Sequence, residues 1–262
     1  MPLSQSDKAT RFRALHERAG AFVIANAWDA GSAQLLAGLG FEALATSSGA
    51  SAAVRGRKDG QLSREEALQH AREIVAATDL PVSGDLENGF GDAPSHVAET
   101  IRLAAAAGLV GASIEDYTGD KARPFYALDA AVERIAAAAE AARSLGFPFT
   151  LTARSENFLR GNADLGDTIA RLKAYEAAGA DVLFAPALPD LEAVRAVCAA
   201  LGRPFNFMAG IAGKSFGVAA LAAAGVKRIS LATSLYRAAM AAVRAAASEV
   251  RTAGTFGYID RL

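Results

Sequence analysis

The feature that most constrains this chain is a repeated alternation along its length. Short apolar runs give way to longer alanine-rich runs, and a glycine closes most of the longer ones. The short runs fall at 22–27, 43–48, 81–87, 111–116, 149–155, 181–187, 204–209 and 228–233. None shows clean polar alternation, which is the pattern of strands buried on both faces in a parallel sheet. The longer runs at 64–77, 95–107, 129–145, 165–178, 191–201 and 218–224 read as helices. Ser63 and Glu66 make a capping box at the head of the first. Gly108, Gly146, Gly179, Gly202 and Gly225 follow the other five, where a helix stop belongs.

Eight such units in 262 residues predict an α/β chain of the (β/α)8 type, a TIM barrel. A doubly wound open sheet is the alternative. It wants a glycine-rich phosphate turn after the first strand, and Asn26-Ala27-Trp28-Asp29-Ala30-Gly31 is not one. No linker or shift in composition divides the chain, so residues 1–262 read as a single domain. Its parts are an N-terminal helix at 5–18 within 1–20, covering the lower mouth, then the barrel over 21–250 and a tail over 251–262. The last helix is expected at 235–250.

Charge and cysteine narrow the setting. The 27 basic and 28 acidic residues leave a net charge of −1, with no general pull toward nucleic acid or an anionic membrane. Charges cut every apolar stretch before the ~20 residues a spanning helix needs. Residues 1–14 lack the apolar centre of a signal peptide, so a cytoplasmic protein is expected. The single cysteine, Cys198, cannot form an internal disulfide. Its position in a helix favours packing over chemistry.

Barrels of this type carry their chemistry at the C-terminal ends of the strands. Polar residues gather there: Asn26, Trp28 and Asp29; Thr46, Ser47, Ser48 and Gly49; Asp85, Glu87 and Asn88; Glu115 and Asp116; Arg154, Ser155 and Glu156; Asn206; Thr233 and Ser234. Asp85 and Glu87 stand two apart on one expected strand, which puts both on one face. Glu115 ends the neighbouring strand. Three carboxylates at one mouth repel one another unless a cation sits among them. A hard divalent ion with oxygen ligands, Mg²⁺ or Mn²⁺, answers this. The alternative is a salt-bridge network with Arg154 and Arg123. His16, His70 and His96 all fall in expected helices, so nothing suggests zinc. Ser47-Ser48-Gly49-Ala50 reads either as a plain turn or as a cradle of N–H groups for a carboxylate or phosphonate. Asp59 is the only acid of a charged, glycine-flanked loop at 55–60, where a solvated charge is the default.

These elements together resemble the isocitrate lyase/phosphoenolpyruvate mutase superfamily. The resemblance rests on Asn26-Ala27-Trp28-Asp29-Ala30, Thr46-Ser47-Ser48-Gly49, Lys58-Asp59-Gly60, Asp85-Leu86-Glu87-Asn88-Gly89-Phe90-Gly91, Ile114-Glu115-Asp116 and Ala153-Arg154. It continues through Ala178-Gly179-Ala180-Asp181 and Gly225-Val226-Lys227-Arg228-Ile229-Ser230, spanning 21–240. It implies a Mg²⁺-dependent enzyme acting on small α-oxo or 2-hydroxy carboxylates. Asp85 would ligate the metal, with Glu87 and Glu115 holding its waters. Ser48, Gly49 and Ala50 would hold the substrate carboxylate or phosphonate. Arg154 would neutralise an enolate oxygen, and Asn206 would touch the distal part of the substrate. Asp59 matches a loop aspartate that is a nucleophile in the phosphoryl branch and a polar helper in the lyases. The resemblance also implies a homo-oligomer, dimer or tetramer, with the eighth helix exchanged between neighbours.

The departures bear on the reaction. The lyases carry a cysteine in a Lys-Lys-Cys-Gly-His loop after the fourth strand. Here that loop reads Tyr117-Thr118-Gly119-Asp120-Lys121-Ala122-Arg123-Pro124, with neither cysteine nor histidine. The phosphonate branch carries a gate asparagine there and a histidine after the sixth strand, where this chain has Pro186-Ala187-Leu188-Pro189. Tyr117, Lys121 and Arg123 read equally as anion contacts or as solvated loop residues; Tyr236 and Arg237 read as facing the mouth or as packing in the oligomer, the second preferred. The resulting expectation is a Mg²⁺-dependent lyase or decarboxylase working through an enolate. A C–P bond enzyme and a non-catalytic α-oxo acid binder are the alternatives.

Overall fold

The computed structural model describes residues 3–261. Eight parallel strands close into one barrel in chain order. They are β1 Phe22–Asn26, β2 Leu44–Ala45, β3 Val82–Asp85, β4 Gly111–Glu115, β5 Thr150–Arg154, β6 Val182–Phe184, β7 Phe205–Met208 and β8 Arg228–Ser230. β8 returns to pair with β1, with Phe22 opposite Arg228. The α-helices are α1 Gln5–Glu17, α2 Ala30–Gly38, α3 Ser48–Ala53, α4 Arg64–Ala76, α5 Pro94–Ala106, α6 Leu128–Arg143, α7 Leu165–Ala177, α8 Leu191–Ala200, α9 Val218–Ala223 and α10 Ser234–Ala253.

All eight expected strands are present, each one to four residues shorter than its apolar run. Burial continues past the last ladder hydrogen bond, so hydropathy overruns the strand. Two helices were not expected from the sequence. α2 begins at Asp29, whose carboxylate accepts from Ser32 N–H at 2.6 Å in a capping box. α3 begins inside the segment read as a loop, with Ser47 Oγ accepting from Ala50 N–H at 3.3 Å. α10 runs past the expected end because its stop signal is Gly254, in the left-handed region at φ 66°.

The main core lies between the strands and the surrounding helices. Leu68 and Ile74 of α4, Ile101 of α5 and Leu172 of α7 are fully buried, each worth roughly 1.5–3 kcal/mol of transfer out of water. Buried alanines such as Ala104, Ala138 and Ala139 let neighbouring helices approach closely. A second apolar cluster closes the N-terminal end of the barrel. There Phe12 and Leu15 of α1 pack with Phe22, Ile24, Ala43 and Val110.

Inside the barrel the lining is small and polar. Ser83, Thr152 and Asn206 are buried, and so is Arg228. Barrels more often fill this space with layers of Val, Ile and Leu. The small side chains leave room for a cavity that opens at the C-terminal mouth. α10 differs from every other α-helix in burying none of its residues. Met240, Val243 and Val250 stand exposed along it at helical spacing.

Candidate active site

The strands deliver their last residues to one mouth, and the backbone there is strained. Glu87, Ala187 and Ala232 all have positive φ (50°, 68° and 49°), and they lie just beyond β3, β6 and β8. Left-handed backbone in non-glycine residues concentrates at functional sites. It also corrects the sequence reading of Glu87. β3 ends at Asp85, so strand alternation does not aim Glu87; a left-handed turn does.

Asp85 is the most firmly oriented carboxylate. Its Oδ2 accepts from both the Ser48 N–H (3.0 Å) and the Ser48 hydroxyl (2.9 Å). Its own N–H donates to Thr46 Oγ1 at 2.9 Å. Arg154 Nη1 lies 3.8 Å from Asp85 Oδ1 and 3.4 Å from Glu115 Oε2. Glu156, fully buried, receives Arg154 Nε at 2.6 Å and Arg160 Nε at 2.7 Å. Arg160 Nη2 reaches to 3.9 Å from Glu115 and its guanidinium stacks 3.7 Å over the Tyr117 ring. Glu156, named from the sequence only as a strand-end polar residue, and Arg160, not singled out there, are thus central members. Their signal was the i,i+4 spacing just after β5. Arg123, named as a partner for the carboxylates, instead points outward, 88% exposed, and pairs with Asp120 at 3.6 Å.

The cluster spans two adjoining cavities. One, of about 270 Å³, runs down the barrel and is lined by Asp85, Ser48, Asp59 and Arg154 and, deeper, Asn206 and Arg228. The other, of about 420 Å³, lies under the loop after β4 and is lined by Glu87, Glu115, Tyr117, Lys121 and Arg160. Ser48, Asp59 and Arg154 border both. Of the two residues just past β8, Arg237 lines the first cavity, one of the two placements open to it from the sequence, and Tyr236 lies edge-on to Trp28 with ring centroids 5.8 Å apart.

Gly49 sits at the first turn of α3 where a side chain would not fit. A Cβ there would come 3.0 Å from Thr233 Cγ2 and 3.6 Å from the Asp59 carboxylate. The Ser48 N–H is taken by Asp85 and the Ala50 N–H by Ser47. Among the described residues the Gly49 N–H has no such partner. Asn206 lies deeper, its Oδ1 accepting from Arg228 Nε (2.8 Å) and its Nδ2 donating to Ser230 Oγ (3.1 Å). It therefore holds Arg228 in place while itself lining the floor of the first cavity.

Close around Arg154 the charges do not balance. Asp59, Asp85, Glu87, Glu115 and Glu156 gather about two guanidiniums, Arg154 and Arg160, while Arg228, Arg237 and Lys121 line other parts of the two cavities. Burial, with Asp85 and Asp59 adding, pushes the Glu87 carboxyl up to about 7. Burial also raises Glu115, against the pull of Arg154, and raises Asp59, where Asp85 adds to the effect. For Arg154 burial opposes the charge, but Glu156, Glu115 and Asp85 outweigh it and keep the guanidinium protonated. An all-oxygen donor set with surplus negative charge suits a hard divalent cation. Among the described residues, no three His, Cys, Asp or Glu side chains come together closely enough to ligate one ion directly. Such an ion would have to be held in part through water.

Two side chains are set aside by the geometry. Asp116, next to Glu115, is buried as an anchor: Tyr175 donates to it at 2.6 Å, Arg171 pairs at 3.3 Å and the Glu156 N–H donates at 2.8 Å. Cys198 lies on α8, and burial pushes its thiol up to about 12, so it stays protonated.

The sequence matches the family described as phosphoenolpyruvate phosphomutase over residues 12–251. It is 32% identical to a 2-methylisocitrate lyase of Halalkalibacterium halodurans over 210 residues, which cover 78% of this chain and 68% of that protein. It is 33% identical to an oxaloacetate decarboxylase of Paraburkholderia xenovorans over 216 residues, 79% of this chain and 70% of that protein. A solved structure from Burkholderia cenocepacia J2315, provisionally described as a lyase/mutase, has a TM-score of 0.96 and 57% identity. That match covers 98% of this chain and 92% of the other.

Proposed function

The chain belongs to the phosphoenolpyruvate phosphomutase family, and from that premise we propose that it is a divalent-metal-dependent lyase or decarboxylase of a small 2-oxo or 2-hydroxy carboxylate. The observation that carries the reading is the surplus of carboxylate gathered around one buried guanidinium, Arg154. Asp85 would ligate Mg²⁺, or Mn²⁺, and Glu87 and Glu115 would hold it through water. When bound, the cation supplies Lewis-acid stabilisation to an enolate made by C–C cleavage.

The protein's own residues do the rest. Ser48 and Thr46 hold Asp85 in one orientation. The Gly49 N–H, flanked by Ser48 and Ala50, receives the substrate carboxylate. Glu156 and Arg160 lock Arg154 from behind, so its charge is preorganised toward the developing oxyanion. Asp59, its carboxyl raised by burial and by Asp85, stands beside Gly49 as the group that returns a proton to the new carbanion. Cleavage through a cysteine acid has no candidate, since Cys198 lies on α8.

The test is a panel of oxaloacetate, methylisocitrate, citramalate, dimethylmalate and phosphonopyruvate, assayed with MgCl₂ and with EDTA for released pyruvate or glyoxylate. Metal-dependent product from a C–C substrate is expected. Turnover of phosphonopyruvate alone, or turnover that EDTA leaves intact, overturns the reading. The C–P alternative has one observation in its favour, the place of Asp59 beside Gly49. An Asp59→Asn protein with full activity would remove it.

The apolar stripe of α10 is proposed to be covered by a second copy of the chain, giving a dimer or tetramer.

A further inference from the structure

We infer that the substrate carries an apolar substituent at the carbon next to the reacting carbonyl, seated against the β5–β7 side of the barrel cavity. The inference rests on the reading above, because it takes the carboxylate to lie at Gly49 and the oxyanion at Arg154.

The cavity's two sides differ in chemistry. Its β2–β3 side carries Ser48, Asp59 and Asp85. Its opposite side is made by Phe184 at the end of β6, Leu159 in the turn after β5, Met208 at the end of β7 and Ile211 just beyond. The Phe184 ring lies 5.1 Å from Arg154 Cζ, so the apolar wall begins where the proposed oxyanion contact ends. Leu159 remains 37% exposed at the cavity rim, a large apolar side chain that no other part of the chain covers. β6 continues as Ala185-Pro186-Ala187-Leu188, which adds no polar side chain. Asn206, the polar side chain of β7, is bound to Arg228 and Ser230.

Solvation points the same way. A second carboxylate pressed on Phe184 and Leu159 would lose its hydration against side chains that offer no donor of their own, the cavity's donors being Arg154, Arg228 and Arg237. An alkyl group there would leave water, at about fourfold in affinity per methylene.

The experiment is calorimetric titration of the full-length protein in MgCl₂ with pyruvate, 2-oxobutyrate, 2-oxovalerate and 4-methyl-2-oxovalerate. The expected result is affinity rising about fourfold per added methylene across the first three members, with 4-methyl-2-oxovalerate tighter than pyruvate. In Ile211→Asn and Leu159→Asn proteins the gain per methylene should fall below twofold. The readout is the slope of each series, so a variant that weakens every ligand equally does not mimic the result. Pyruvate binding with a flat or falling series, or variant slopes equal to the parent's, overturns the substituent alone. No metal-dependent binding by any member overturns the reaction class and the substituent together.

Discussion

Replacing Glu87 with Gln keeps the side chain's shape and removes its charge. In the metal-free protein, burial and the neighbouring Asp85 and Asp59 carry the Glu87 carboxyl from 4.5 up to about 7. The folded protein therefore holds this proton more tightly than the unfolded chain. The stability it contributes is fully present below about pH 4.5 and is lost as pH rises to 7. That difference amounts to roughly 3 kcal/mol at pH 8 and roughly 1–1.5 kcal/mol at pH 5.5. Water reaching part of the side chain makes these figures ceilings. Glu87→Gln in EDTA should thus be more stable than the parent, with the gap widening from pH 5.5 to pH 8. MgCl₂ should close the gap, because the cation favours the ionised parent. Urea unfolding followed by circular dichroism at both pH values, in EDTA and in MgCl₂, measures all of this. If the variant gains nothing in EDTA at pH 8, or gains equally at both pH values, Glu87 is not under electrostatic stress. The argument for a cation at this mouth then fails.

Two further outcomes concern the rest of the fold. His16 is buried between Phe12 and Phe22, its Nδ1 bonded to Phe12 O and its Nε2 facing Arg228. Burial, with Arg228 adding, pushes it down to about 3, so its contribution is present above pH 6.5 and lost as pH falls toward 3. By pH 5 about 2 kcal/mol is gone, and His16→Gln should flatten the parent's loss of stability between pH 7.5 and 5 by about that much; an unchanged pH slope in urea unfolding refutes it. Sedimentation should find the parent as a dimer or tetramer, and Val243→Asp with Met240→Asp should shift it to monomer; a monomeric parent at micromolar concentration refutes the covered α10 stripe.

The barrel was legible because its signal is redundant. Each of eight units repeats a buried apolar run, a helix and, for most, a stop glycine. Strand ends were not legible, since hydropathy records burial and not the ladder. That is why β3 was read through to Glu87, although it stops at Asp85 and a left-handed turn places the next carboxylate. α2 was missed although Asp29 and Ser32 spell its capping box, because the motif was read as a strand-end polar group. Asp85, Glu115 and Arg154 could be placed at one mouth from the strand pattern alone. Their pairing could not. Arg160 joins them because the 3₁₀ turn at Asn157–Arg160 folds it back over Glu156, whereas the loop of Arg123 leans into solvent. The two-sided cavity was equally hidden, because its wall draws single residues from β6, β7 and two connecting segments.

The two faces of that cavity have different structural origins. Asp85, Glu115 and Arg154 are the terminal residues of strands, fixed by the ladder of a closed barrel. Leu159 and Ile211 stand on connections that no strand pairing constrains. Gly49, on the polar face, has no spare room, with Thr233 3.0 Å from where a Cβ would be. A lineage with this architecture can exchange Leu159 or Ile211 and alter which acid it accepts, while the groups that handle charge stay as they were. Substrate choice is therefore the trait most open to drift, and the carboxylates by themselves say little about which acid such a barrel consumes.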